Sequence, residues 1–280
     1  MGNLCRSDCG HFVRSGARNH HQPLTGLLFA ALNSLPAWWV THLVGLSRGV
    51  RTETDEDVTE WYPLSRLLIW ISIIAVVTSM AMFVPFGFSL EAYRDAISSL
   101  MQQIYNTQQQ TTLEESGISL DSLVTLISRL APTVSSVMIV VSMSVNLFLA
   151  AKIVEKSGRL VRPWPDLHQL TMPSVSAYVF LAALAGLLLL PGLIGVFFQI
   201  VASSLGSALM LVGLSVMHCL SRNTPARTAL LWTTYILLIV FQWIGFILVI
   251  LGVSEILINV RSRFPSLPSG GNGSQNGPNQ

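Results

Sequence analysis

Residues 167–221 read LHQLTMPSVSAYVFLAALAGLLLLPGLIGVFFQIVASSLGSALMLVGLSVMHCLS, 55 residues without one Asp, Glu, Lys or Arg. A bilayer core about 30 Å thick takes about 20 helical residues, and a charge at its centre costs roughly 2.5 to 3.5 kcal/mol, so a run of this length holds two crossings. Proline removes a backbone donor and glycine permits reversal, which places the break at Pro191-Gly192 and the helices near Val175 to Leu190 and Leu193 to Cys219. The alternative is one kinked helix through Pro191, which would overshoot any bilayer.

Working outward, four more stretches are free of formal charge: 19–47, 67–90, 130–151 and 228–254. Together the five hold more than half of the 280 residues and none of the 30 charged ones. Six spans follow, near Leu24 to Leu46, Leu64 to Phe86, Thr133 to Ala151, Val175 to Leu190, Leu193 to Cys219 and Ala229 to Ile258. A β-barrel would need alternating strands of about ten residues, whereas Leu67 to Val77 and Ala229 to Val240 are apolar on nearly every face, so helices are expected. Trp38-Trp39, Trp61-Tyr62, Trp164 and Trp232 fall at or near the proposed helix ends, as interfacial aromatics do.

Composition agrees. The chain is 51% hydrophobic and 11% charged, with a mean hydropathy of +0.57, which excludes an ordinary soluble domain. A formal charge of +2 excludes a strongly basic nucleic-acid binder, and three cysteines exclude a disulfide framework. The fold class is therefore all-α, a polytopic transmembrane helical bundle spanning 24–264, between a polar leader at 1–23 and a tail at 265–280. The tail, nearly all Pro, Ser, Gly, Asn and Gln, cannot bury enough surface to fold. The leader lacks the apolar core of a secretory signal. Its Cys5, Cys9 and His11 lack a second ligand cluster, so no metal site is expected.

Between the spans, Glu53, Asp55, Glu56, Asp57 and Glu60 read as a solvated acidic connector. Leu90, Tyr93, Ile97, Leu100 or Met101, and Ile104 recur at helical spacing behind Ser89, which predicts a capped amphipathic helix in the interface, a candidate lid. A second amphipathic run begins at Ser119 and meets Pro132, where a change of helix direction is allowed. The loop with Lys152, Lys156, Arg159 and Arg162 is the densest basic cluster. By the positive-inside rule it faces the cytoplasm. Six crossings, however, put nine Lys and Arg on its side and seven on the other, a weak margin.

Polar side chains inside spans must find a partner or face a cavity. Asn33, Asn146, Gln199, His218, Gln242 and Glu255 are the candidates. Amides bonding across helices are the commoner arrangement, and His218 and Glu255, near span ends, are expected to snorkel to water. Asn146, Gln199 and Gln242 are the expected solute-binding groups. Ala182 with Gly186, Ala202 with Gly206 and Ser203 with Ser207 are spaced for close helix packing. HExxH, GxSxG, a phosphate loop and paired intramembrane carboxylates are missing, so no catalytic or cofactor site is expected and the chain is not read as an enzyme.

Several patterns together resemble the YybS-like family of bacterial membrane proteins: Trp61-Tyr62-Pro63 with Arg66, Arg162-Pro163-Trp164-Pro165 with Met172-Pro173, Gly213-Leu214 leading to His218, and Leu251-Gly252 followed by Asn259 and Arg261. The sequence departs from that pattern in its polar start, which implies a shortened beginning or a lost helical hairpin, and in Glu255 and Asn259, which stand where the family has aspartates. Such proteins are similar in hydropathy and size to the substrate-binding components of energy-coupling-factor transporters. The resemblance implies an inner-membrane bundle that captures a small solute with a cytoplasmic ATPase and a transmembrane coupling subunit as partners, and both termini in the cytoplasm, against the lean of the charge count. The alternative is a non-transporting scaffold or assembly factor that holds partners or lipid headgroups through the Lys152 to Arg162 loop and the amphipathic segment Ser89 to Tyr105.

Overall fold

The structure, a computed structural model, describes residues 30–51, 57–105, 117, 119–163, 170–223 and 225–263. The leader 1–23, the tail 265–280, the Cys5, Cys9 and His11 set, Trp164 and most of the acidic run lie outside the described residues. The chain divides into two compact units, Met1–Trp39 and Val40–Gln280. The expected first span is helical over its described part, as a π-helical turn Ala30–Ser34 followed by α1, Leu35–Gly45.

The connector before the second span is not irregular. It pairs as an antiparallel hairpin, β1 at Ser47–Arg51 and β2 at Asp57–Trp61, with Arg48 opposite Glu60. Those two side chains form an exposed ion pair at 2.6 Å, worth under about 1 kcal/mol.

Pro63 presets the extended backbone from which α2, Leu64–Ala81, starts. The apolar run continues to Phe86, 23 residues in all and long enough to cross a membrane. Gly87 (φ 57°) and Phe88 (φ 59°) then turn left-handed and reverse the chain. The amphipathic helix follows as expected: α3, Leu90–Ile104, is capped by Ser89, whose hydroxyl accepts from the Ala92 amide at 3.2 Å.

A correction concerns Pro132. No new element starts there, because α4 runs unbroken from Leu120 to Lys156. At 37 residues it is about 55 Å long and overshoots the hydrocarbon core by roughly 25 Å. Proline lacks the amide that would bond the carbonyl one turn back, and in a membrane protein a neighbouring helix can serve the backbone near such a site. Here the Gln199 amide donates to the Arg129 carbonyl at 2.8 Å.

The break at Pro191-Gly192 is where the sequence placed it. α5, Ser174–Leu189, stops there; Gly192 adopts φ 69°, and α6, Gly192–Leu220, returns antiparallel. Phe198 sits over Gly186, and Phe180 sits 3.3 Å from where a Gly206 Cβ would stand. The small residues of Ala202/Gly206 and Gly186 therefore receive aromatic rings, while Ala182 is exposed.

The last span is also corrected. Ala229 to Ile258 is not one helix but two, α7 at Arg227–Val240 and α8 at Trp243–Ile258, separated by extended Phe241 (φ −120°, ψ 97°). Asn259, left-handed at φ 49°, ends α8 and leads into α9, Val260–Arg263.

α6 is the central helix, with 61% of its apolar window buried against 6% for α4. Its Ala202, Leu205, Ala208, Leu209 and Val212 join Leu68, Met172, Phe180 and Ala183 in one buried cluster, against which Val249, Val253 and Ile256 of α8 pack. α4 instead turns Val134, Met138 and Val145 outward. Such a face suits acyl chains rather than water. Among the described residues the fold is that of an all-α membrane protein with one small hairpin.

Candidate functional site

Two polar groupings interrupt the apolar bundle. The first is a seam between α2, α4 and α6. Helical spacing aligns Thr133 and Ser136 of α4 with Gln199 and Ser203 of α6: Gln199 donates to the Thr133 hydroxyl at 2.6 Å, and the Ser136 and Ser203 hydroxyls meet at 2.5 Å. Ser79 of α2 donates to Ser135 of α4 at 3.4 Å, and Ser204 donates to the Ser72 carbonyl at 2.8 Å. Each hydroxyl satisfies a lone pair that the membrane cannot.

The seam leads toward an open notch of about 450 Å³ lined by Glu91, Arg94, Asp95, Ser98, Asp121 and Val124, between α3 and the start of α4. There Arg94 donates to Asp121 at 2.7 Å and to Thr125 at 3.1 Å. Three carboxylates around one arginine leave the notch acidic, and all four groups are exposed. Beside it, Tyr93 stacks in a buried aromatic group, 4.9 Å from Phe83 and 5.5 Å from Phe86. Its buried hydroxyl has no hydrogen-bond partner. Burial pushes the Tyr93 phenol above its ordinary value.

The second grouping is at the other end of α6. Glu255 is 5% exposed, so the expected snorkelling to water does not occur. Instead the left-handed Asn259 folds the chain back, and Glu255 accepts from the Arg261 amide at 3.0 Å and pairs with the Arg261 guanidinium at 3.4 Å. Arg261 also donates to the Leu170 carbonyl at 2.9 Å and to the Ser215 hydroxyl at 3.1 Å. One knot thus ties the end of α8 to α6 and to the segment entering α5. Its charges pair internally and its donors are aimed at fixed protein groups, the arrangement of a structural clamp. Nearby, His218 Nδ1 lies 2.8 Å from the Leu214 carbonyl and Nε2 lies 3.3 Å from the Tyr235 hydroxyl.

Of the amides expected to bind a solute, Gln199 lies in the seam, Asn146 is on an exposed face of α4, and Gln242 is exposed at the α7–α8 break. The structure does not bring the three together. Asn33 is exposed in the π-helical turn. The serines and the Glu255–Arg261 knot were not legible as sites, because serine is common in apolar helices and Arg261 lies outside the charge-free stretch. The one available signal was the spacing of Ser72, Ser79, Ser135, Ser136 and Ser203 within such stretches.

No curated protein matches the chain. No solved structure matches it either. A family model, described as a predicted membrane protein (DUF2232), matches residues 64–254, from the first residue of α2 to near the end of α8. That stretch contains the seam, the notch and the Glu255-side packing of α6 on α8, and with well over half its length matched the chain belongs to this family of predicted membrane proteins.

Proposed function

We propose that the chain is a multi-pass protein of the bacterial inner membrane that captures a small polar solute, and that it does not catalyse a reaction. One observation carries the reading: polar groups recur along α4 from the acidic notch (Asp121, Thr125) to Thr133 and Ser136, where Gln199 and Ser203 meet them. Hydroxyls and amides on that line can exchange their mutual bonds for bonds to a solute at little net cost, which a purely apolar interface cannot do. The excess of carboxylate at the notch favours a solute rich in donors or carrying positive charge. α3 forms one wall and is the element that would close over it. Among the described residues Glu255 is the one buried carboxylate, and its pairing with Arg261 holds it in a structural role rather than as a general acid or base.

The likeness to YybS-like proteins and to energy-coupling-factor binding components supports an uptake system in which a cytoplasmic ATPase and a transmembrane coupling subunit supply the work. The test is thermal unfolding of the detergent-purified protein against a panel of small amines, amino acids and vitamins, repeated with Asp121→Asn and Gln199→Leu. A solute that stabilises the parent chain and neither variant supports the reading; no stabilisation by any solute overturns it. A second reading, a scaffold acting through Lys152, Lys156 and Arg159, rests on the exposure of that basic loop. Charge reversal there would strip copurifying partners from a scaffold and leave a solute binder unaffected.

A further inference from the structure

The break between α7 and α8 decides where the chain ends relative to the membrane. α7 has 14 residues and α8 has 16, or about 21 and 24 Å of helix, each short of a 30 Å core. Length alone does not decide, since α5 is equally short and is followed by a helix running the other way. The contacts along α6 do.

A Cβ on Gly213 would overlap the Leu248 carbonyl, and one on Gly252 would overlap the Leu209 carbonyl, so Gly213 and Gly252 mark the same level on the two helices. Below that point a Cβ on Gly245 would stand 3.5 Å from the Met210 sulfur. Above it Arg261 reaches Ser215. Residue numbers rise together, so α8 runs parallel to α6. Its first residue, Trp243, lies about 13 Å below Gly213 and therefore near the middle of α6, not at its far end.

α7 begins seven residues after α6 ends. If α7 and α8 formed one crossing, Tyr235 would lie beyond Trp243, roughly 30 Å from His218. Instead the Tyr235 hydroxyl is 3.3 Å from His218 Nε2, and the two rings are 5.9 Å apart. α7 therefore descends beside the last turns of α6, and α8 climbs back.

The tip suits that depth. Phe241 donates its amide to the Leu237 carbonyl at 2.7 Å; Ile244 and Gly245 donate to the Phe241 and Gln242 carbonyls at 3.1 and 3.0 Å. A turn within lipid must satisfy its own backbone in this way. Around it Ile239, Phe241, Trp243 and Phe246 are all more than half exposed, an apolar surface that water would not tolerate at this size.

We infer that α7 and α8 form a re-entrant hairpin that dips to mid-bilayer and returns to the face where α6 ends, and that this face meets the anionic headgroups of the cytoplasmic leaflet. The second half follows from charge. The face gathers Arg48 and Arg66 ahead of and within the first turn of α2, Lys152 and Lys156 at the end of α4, and Arg159 and Arg162 after it. It also gathers Arg222 and Arg227 between α6 and α7, and Arg261 and Arg263 in α9. With Arg51 included and Arg261 and Arg263 moved to this side, the sequence count of nine Lys and Arg against seven becomes eleven against five. A single crossing had placed Arg261 and Arg263 on the opposite side and left the balance weak. With the hairpin the positive-inside rule speaks plainly, and exposed Lys and Arg at this level are attracted to anionic lipid.

The inference does not depend on solute capture. It is tested with single-cysteine variants of the full chain in which Cys5, Cys9 and Cys219 are serine: Ser157→Cys on the basic loop, Ser262→Cys and Ser269→Cys beyond α8, and Gln102→Cys on α3. A membrane-impermeant maleimide is applied to intact spheroplasts and then to permeabilised ones. Expected is labelling of Gln102→Cys in intact spheroplasts, with Ser157→Cys, Ser262→Cys and Ser269→Cys labelled after permeabilisation alone. Labelling of Ser262→Cys and Ser269→Cys together with Gln102→Cys would restore the single crossing and overturn the hairpin. Labelling of Ser157→Cys in intact spheroplasts would overturn the cytoplasmic assignment. The two residues past α8 report the same end of the chain, so failure of one variant to fold leaves the other to decide.

Discussion

Gly213 and Gly252 stand backbone to backbone, and a Cβ on either would overlap a carbonyl oxygen of the other helix. In lipid there is no hydrophobic drive between helices, and close approach supplies the dispersion contacts that replace it. Gly213→Val or Gly252→Val must push α6 and α8 apart. Each is expected to cost about 3 kcal/mol and to lower the unfolding midpoint in mixed micelles. Gly245→Ala is the control. Its new methyl would stand 3.5 Å from the Met210 sulfur, an ordinary contact, and should leave the midpoint nearly unchanged.

Glu255 and Arg261 make the second prediction. Removing one member strands the other at a nearly dry site, so Glu255→Ala and Arg261→Ala should each destabilise by about 3 to 5 kcal/mol. The double variant should cost clearly less than the two single effects combined, because neither charge is then left alone. Glu255→Gln should fall between, since an amide oxygen still accepts the Arg261 backbone amide. Equilibrium unfolding of the four proteins checks the cycle; strict additivity would show that the two groups do not interact.

The sequence was informative where a single residue type decides the backbone. Pro191 and Gly192 fixed the α5–α6 turn, and Ser89 fixed the start of α3. It was silent where the decision is tertiary. Phe241-Gln242 contains neither proline nor glycine, so nothing local separates a turn in lipid from a continuing helix; Tyr235 meeting His218 does that, across 17 residues. Pro132 misled in the other direction, because Gln199, 70 residues from Arg129, serves the backbone beside it. Glu255 read as interfacial because its partner lies six residues on, past a left-handed asparagine that only the folded chain shows to be left-handed. The β1–β2 hairpin was hidden by its charges, although Val50 and Val58 pair across it.

Tyr93 carries the third prediction. Its phenol is buried without a hydrogen-bond partner, beside Phe83 and Phe86. Tyr93→Phe removes a desolvated hydroxyl while keeping the ring, and should stabilise by up to about 1 kcal/mol. The pH dependence has a definite sign. Because burial raises the folded phenol above its unfolded value near 10, its contribution is fully present below about pH 10 and is lost as pH rises through the folded value. Unfolding midpoints measured from pH 8 upward should fall less steeply for Tyr93→Phe than for the parent chain; parallel curves would show that this tyrosine does not titrate differently on folding.

The last prediction separates packing from solute contact among the three amides. Gln199 makes two hydrogen bonds to α4, to the Arg129 carbonyl and the Thr133 hydroxyl. Interhelical bonds of this kind average about 0.6 kcal/mol in membrane proteins and reach about 1.7. Gln199→Leu should therefore destabilise by about 1 to 2 kcal/mol in the absence of any solute, and Thr133→Val by about 0.6, with the double variant close to Gln199→Leu alone because the two share one bond. Asn146→Leu and Gln242→Leu place an apolar side chain at exposed positions. Both should be neutral or slightly stabilising in detergent, since an exposed amide among acyl chains has nothing to bond. Thermal unfolding of the purified variants gives the order directly. A loss at Asn146→Leu equal to that at Gln199→Leu would mean that the exposed face of α4 is covered in the native assembly, and would move the search for a solute from the seam to that face.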